Sequence, residues 1–596
     1  MKLRRPLRLG LLRLSLLAIV VGVITGFGAV LFRALIGLIH NIAFLGSFSV
    51  PYDASVFTPV GPWGAFIILV PIIGGLFVTF LITNFAPEAR GHGVPEVMDA
   101  IYYKEGVIRP VVAVIKSLAS ACSIGTGAAV GREGPIIQIG AALGSTLGQI
   151  VRMAPWQRIT LVAAGAGAGI AATFNTPIGG VMFAIELMMP ELSARTFLPV
   201  ALATGTATFV GRIFFGIHPA FAIPNALLAS QAPASLPALV LYALLGAIIG
   251  LAAAAFVRGL SLSEDIFERI ANPYLRTIVG MLIIGVGMYA LLRAAGHYYV
   301  EGVGYSTIQA TLNGALVAPA FLLLLAVAKL SATSVSLGSG SSGGIFSPSL
   351  FMGATLGAAF AGLVQLALPW AAVSPTAFAM VGMGAMVGSG TGAAMTAVAM
   401  IFEMTRDYDI VLPMIIAVAV ALGVRRRLSS ENIYTLKLVR RGHMIPRALH
   451  ANMFLVRSAR DAMETDFLRV DEATTFDEFL RLSGDAGGMR HVVVTRGKLI
   501  VGAIRVNTDL RRTVSAAARE VRMGEIARRN FTIVRERDVV FDVITRLARR
   551  RAAMGIVVSG TARPRADTVV GVITKEHIAD AVASSVRIYP RERDRT

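Results

Sequence analysis

Two glycine- and proline-punctuated stretches concentrate the chemistry of this 596-residue chain. Gly131-Arg132-Glu133-Gly134-Pro135 leads into the apolar Ile136-Ile137-Gln138-Ile139-Gly140, and Gly343-Gly344-Ile345-Phe346-Ser347-Pro348 leads into a second apolar run. Each reads as the start of a helix inside an apolar segment, with proline near the first turn, where its missing N–H costs nothing. A helix beginning there aims free backbone N–H groups and the positive end of its dipole at whatever lies ahead. That is the chemistry of an anion site. The plainer alternative for either stretch alone is an ordinary helix start in tight packing. Gly91-His92-Gly93-Val94-Pro95-Glu96 makes a third such start. Glu133 is a carboxylate in apolar surroundings, costly there unless it has a function. The sequence holds no nucleotide-hydrolysing P-loop, zinc-ligand spacing or nucleophile elbow. Its single cysteine, Cys122, excludes an intrachain disulfide and a cysteine-based metal cluster. We read the chain as a non-enzyme.

The elements that must position these groups are membrane helices. Hydrophobic residues make up 55% of the chain and charged residues 15%, against about a quarter charged in a soluble domain, so a wholly soluble enzyme is excluded. Apolar stretches long enough to span recur from Leu11 to about Val424. They lie near 16–31, 65–83, 108–130, 158–189, 196–216, 236–256, 275–293, 316–335, 350–371, 377–402 and 409–424. Most of the 61 glycines fall inside them, which suits closely packed or broken helices. Lys2, Arg4, Arg5, Arg8 and Arg13 precede the first stretch and Arg425-Arg426-Arg427 closes the last, marking both ends as cytoplasmic. The formal charge of +20 gathers at such flanks and in the C-terminal part, so membrane lipid, not nucleic acid, is the expected surface partner.

The apolar part repeats. A shift of 213 pairs Lys116 with Lys329, Ser123 with Ser336, Gly131 with Gly344, Pro135 with Pro348 and Gly140 with Gly353. A shift of 217 pairs Gly165 with Gly382 and Glu186 with Glu403. Paired lysines, prolines and glutamates in apolar surroundings are not chance matches, so the membrane part is a duplicated unit. Transport proteins often place a binding site between two such halves. The expected fold is a polytopic α-helical membrane protein with a two-fold, inverted repeat (halves roughly 11–215 and 236–424 within 1–428), followed by a soluble α/β domain.

The three helix starts resemble the G-S-G-I-P, G-R-E-G-P and G-x-F-x-P motifs of the CLC chloride channels and chloride/proton exchangers, over about residues 11–440. The resemblance implies a homodimer in an inner or plasma membrane, each subunit with its own chloride pathway. The implied anion ligands are the backbone N–H groups of Ile345 and Phe346 and those around Arg132, Glu133 and Gly134. His92 and Gly93 belong to the third start, and the hydroxyl of Tyr434, in Ser430-Glu431-Asn432-Ile433-Tyr434, completes the set. Glu133 matches the family's gating glutamate, whose carboxylate occupies an anion site and leaves on protonation. Tyr434 as an interface anchor and Glu133 as an ion-pair partner of Arg132 are the plainer readings.

Two positions depart from the family pattern. His92 stands where the family often has a serine: its imidazole either donates to the anion, carries a charge when protonated, or turns away and leaves the backbone to act. In Phe183-Ala184-Ile185-Glu186-Leu187-Met188-Met189-Pro190, Leu187 takes the place of the exchangers' second, proton-delivering glutamate. Leucine carries no proton, which favours a passive chloride channel gated by Glu133. A chloride/proton antiporter is the alternative, with a proton path through Glu133 and Glu186. The pairing of Glu186 with Glu403 points instead to a structural role repeated in both halves.

Beyond about Leu428 charged residues are frequent, and no stretch could span a bilayer. Residues 429–456 read as a helix end and linker, 457–588 as a twofold α/β pattern and 589–596 as a tail. The pattern resembles a CBS domain pair, with one unit beginning at Asp461-Ala462-Met463 and the other at Met523-Gly524-Glu525-Ile526. CBS pairs often bind adenine nucleotides through an aspartate three residues after a Ser/Thr. Here Thr574 is followed at that distance by His577, and Asp509 is out of register, so no cofactor is assigned and packing or regulation is the safer expectation.

Overall fold

The structure, a computed structural model, describes residues 9–189, 192–224, 236–369, 371, 373–443, 445, 458–484, 491–506, 520–560 and 564–579. The chain divides into two compact units, Met1–Ile445 and Pro446–Thr596.

The first half of the larger unit contains α1 (Leu11–His40), α2 (Val70–Asn84), α3 (Val94–Tyr103), α4 (Val111–Gly125), α5 (Glu133–Ile150), α6 (Pro155–Phe174), α7 (Pro177–Phe183) and α8 (Ala194–Phe215). The second contains α9 (Leu236–Glu268), α10 (Pro273–Ala295), α11 (Tyr305–Leu312), α12 (Pro319–Ser339), α13 (Phe346–Ala367), α14 (Pro375–Thr391), α15 (Ala394–Thr405) and α16 (Val411–Leu428), and α17 (Ile433–Arg440) follows. Among the described residues, seven helices are long and apolar enough to cross a bilayer: α1, α2 with its leading turn, α8, α9, α10, α12 and α13. Helices α1–α8 recur in order as α9–α16, and the counterpart glycines Gly131 and Gly344 meet as an antiparallel bridge, a local two-fold between the halves.

Close helix contact follows from the paired glycines. A Cβ on Gly140 would lie 2.2 Å from the Gly165 carbonyl oxygen, and one on Gly353 would lie 2.3 Å from that of Gly382. Each pair lets α5 meet α6, and α13 meet α14, backbone to backbone, the close approach on which helix packing in lipid depends.

The apolar stretches at 158–189 and 377–402 are not continuous helices. Asn175 (φ 61°) ends α6 before Pro177, and Gly392 (φ 79°) ends α14 before α15. Both breaks leave first-turn N–H groups of a new helix without an acceptor in their own helix. Each is closed by the other half. Glu403 accepts from the N–H groups of Ile178 (3.1 Å) and Gly179 (2.7 Å). Glu186 accepts from those of Met395 (3.2 Å) and Thr396 (2.8 Å) and from the Thr396 hydroxyl (2.7 Å).

The smaller unit holds two copies of one motif. β1 (Phe467–Asp471), α18 (Phe476–Gly484), β2 (His491–Arg496) and β3 (Leu499–Arg505) form the first. β4 (Phe531–Arg535), α19 (Val540–Arg549), β5 (Met554–Val558) and β6 (Val569–Ile573) form the second. In each, the outer strand runs parallel to the middle one, which is antiparallel to the third. This is the expected CBS-type pair, but the opening turns are exchanged. Ala459 and Ala462 pack with Val540, Val543 and Leu547 of the second copy, while Met523 packs with Val470, Phe476 and Phe479 of the first. Exchange buries apolar turns that neither copy could cover alone.

Candidate functional site

Four helix starts converge at the middle of the larger unit: α3, α5, α11 and α13. Gly131 and Gly344 pair as an antiparallel bridge, and Gly91 pairs with Ser342, which brings the three expected starts together. The fourth, α11, is capped by Gly304 (φ 77°) as α3 is capped by Gly93 (φ 83°), both in backbone conformations that favour glycine. Two fully buried lysines hold the loops that lead in. Lys116 Nζ donates to the carbonyls of Ala89 (2.9 Å) and Gly91 (2.7 Å). Lys329 Nζ donates to those of Val300 (2.9 Å) and Gly302 (2.8 Å). These amines are scaffold groups.

Glu133, the first residue of α5, is buried, and its carboxylate crosses to the other half. It accepts from the Tyr305 hydroxyl, from the Ser347 hydroxyl and, at 3.2 Å, from the backbone N–H of Ser347 in the first turn of α13. A carboxylate thus sits on the N-terminus of α13, where the helix dipole favours negative charge. Arg132 is not its partner: the guanidinium lies 5.0 Å from the Tyr305 ring centroid, and its Nε is buried without a hydrogen bond. Arg132 and Tyr305 line a cavity of about 190 Å³ with Arg33, Asp53, Arg212 and His218.

On the opposite side of the helix starts, the rings of His92 and Tyr434 stand 5.8 Å apart, both buried. The His92 carbonyl and the Gly344 Cα both crowd Gly134, where an added Cβ would come within 2.2 Å of the first and 3.0 Å of the second. Ile345 caps α13 and Phe346 opens it, both buried. His92, Gly93, Gly134, Ile345, Phe346 and Tyr434 therefore belong to one cluster with Glu133. His92 also lines a narrow cavity of about 10 Å³ with Leu260, Glu264, Ile433, Lys437 and Arg440. Glu264 is present there because α9 continues to Glu268, past the apolar stretch at 236–256.

Glu186 accepts from the first-turn N–H groups of α15, and Leu187 is a buried apolar residue beside it. Tyr305 and Ser347 hold Glu133 but escaped the sequence reading. A shift of 211 pairs Gly91 with Gly302 and Gly93 with Gly304. Following it would have marked Tyr305 as the opening of a fourth helix start.

In the tail, the Thr574 hydroxyl accepts from the His577 N–H (3.3 Å), and the His577 ring meets His491 edge-on at 4.9 Å. No carboxylate takes the ribose-holding position there, and Asp509 lies outside the described residues.

Residues 74–426 match the family described as voltage gated chloride channel. A putative chloride channel protein ClcB-like of Ralstonia nicotianae is 33% identical over 387 residues, covering 64% of this chain and 86% of that protein. The H(+)/Cl(-) exchange transporter ClcA of Salmonella typhi is 32% identical over 441 residues, covering 72% and 89%. Among solved structures, a slow cyanobacterial Cl-/H+ antiporter superimposes with a TM-score of 0.64 at 27% identity, covering 72% of this chain and 98% of that one. A eukaryotic CLC transporter, at 21% identity and a TM-score of 0.60, shares the fold over 95% of this chain and 98% of its own. With the family match covering most of the membrane unit and the helix starts assembled as its motifs require, this chain belongs to the CLC family of voltage gated chloride channels.

Proposed function

We propose that the protein carries chloride across a membrane and exchanges it for protons, with Glu133 as the element both ions use. The observation that carries this is the seat of the Glu133 carboxylate on the first turn of α13, among two hydroxyls and the Ser347 backbone N–H. A carboxylate and a chloride compete for such donors on equal charge, and protonation removes the carboxylate's claim. Relatives named as H(+)/Cl(-) exchangers and a structural neighbour described as a Cl-/H+ antiporter support exchange. The second reading is a passive channel, favoured by Leu187, which leaves the inner side without the expected carboxylate. The reversal potential of reconstituted protein in a pH gradient at fixed chloride separates them. A shift with pH supports exchange, and none supports the channel.

The same reading takes His92, Gly93, Ile345, Phe346 and Tyr434 as the inner lining of the anion path and Arg132 as its outer attractor. It also takes the protein as a homodimer in an inner or plasma membrane with both termini in the cytoplasm, the tail pair serving packing and regulation.

A further inference from the structure

The residue that departs from the family motif and the side that lacks its carboxylate meet at His92. Its side chain is 1% exposed, and its Nδ1 is buried with no hydrogen-bond partner. A buried polar nitrogen without a partner is uncommon and costs free energy that a ligand can recover. The ring faces Tyr434 across 5.8 Å, with 41° between the planes. Behind it, the narrow cavity passes Glu264 and Lys437.

Several charged groups bear on the ring. Burial first, and then Lys437 on α17, Lys116 on α4 and Arg441 just after α17, all act against a positive imidazole. Glu96 on α3 is committed to Arg441 (2.7 Å) and Lys437 (3.9 Å), so its charge is already balanced. Glu264 lies across the cavity with Lys437 and Arg440, whose charges it offsets, and Glu133 bears on Tyr434. An imidazolium here lacks a counter-charge until an anion enters. A halide between His92 and Tyr434 supplies one, and proton and halide then stabilise each other reciprocally.

We propose that His92 is a proton-linked anion ligand. It takes a proton from the inner solution onto the free ring nitrogen as chloride enters beside Tyr434, and returns it as chloride leaves. The proton is carried by the anion's own ligand, not by a separate carboxylate at position 187. The inference rests on the anion-path reading above.

The test uses the full-length protein with Glu133→Gln, which removes the gate's own titration. Chloride binding is followed by calorimetry from about pH 8 to about pH 5, the range that brackets an imidazole. Affinity should tighten as pH falls, by at most about tenfold per unit, the limit for one linked proton. Adding His92→Asn should flatten the profile. His92→Ser is the second variant should the first fail to fold. A flat profile in Glu133→Gln alone, which leaves His92 intact, overturns the proposal. So does an undiminished slope in the double variant, which would place the titration on Lys116, Lys437, Glu96 or Glu264. Absence of chloride binding at every pH overturns the anion-path reading and this proposal together.

Discussion

Gly131 and Gly344 exchange both of their backbone hydrogen bonds, N to O at 2.7 and 2.6 Å, although 213 residues separate them. Each is the other's counterpart in the repeat, so the two-fold axis of the membrane unit runs between them. The axis sets the starts of α5 and α13 against each other, but it relates Glu133 to Phe346. One half therefore supplies a carboxylate and the other an apolar ring.

Glu133→Gln keeps the shape of the side chain and removes its charge. Chloride flux in proteoliposomes should stay high and lose most of its pH dependence. A folded but inactive variant would show that the carboxylate is not a displaceable plug.

Tyr305→Phe removes one donor from the seated carboxylate and leaves the ring in place. A hydrogen bond to a charged group contributes about 1.5–3 kcal/mol, so the seat is weakened by about tenfold or more. Chloride flux at neutral pH should rise, and Ser347→Ala should act in the same direction. Unchanged flux in both would mean that the bonds to Glu133 do not hold the path closed.

Glu186→Ala and Glu403→Ala each leave two first-turn N–H groups without their acceptor. Loss of such a cap costs about 0.5–2 kcal/mol. Both variants should lower the melting temperature of the detergent-purified protein by similar amounts, since the two caps are equivalent. If Glu186→Gln instead abolished proton movement without lowering the melting temperature, Glu186 would be a proton station.

His491 in the tail has its pKa lowered from 6.5 to about 4, by burial first and by the neighbouring His577 second. A depressed histidine contributes stability that is fully present above its unfolded value and is lost as pH falls. Hydrogen exchange of β2 in the full-length protein should therefore quicken as pH drops from about 6.5 towards 4, after correction for intrinsic rates. The window follows from the unfolded and folded values. His491→Gln should remove that dependence, and an identical profile in the variant would assign it elsewhere.

Truncation after Ile445 removes the whole tail unit and none of the clustered site residues. Gating or yield should change while the chloride-to-nitrate permeability ratio stays as it was. A large change in that ratio would contradict the division of labour between the units.

The sequence alone determined the membrane class, the duplication, the places where buried helices begin and Glu133 as a carboxylate at one of them, while His92 and Tyr434 stood out only through the family resemblance. These are legible because they are local: an apolar run, a glycine before a helix and a proline in its first turn act within a few residues. The tail motif was equally legible from alternating strand and helix patterns.

Tertiary structure alone decided what each polar group meets. Glu133 is held by Tyr305 and Ser347, Glu186 closes a helix of the other half, and the opening turns of the tail copies are exchanged. Each of these pairings joins residues far apart in the chain, and no local periodicity encodes them. They arise because an N–H or carboxylate withdrawn from water must find a partner wherever the packed halves bring one. Which partner that is depends on how the two halves are set about their axis.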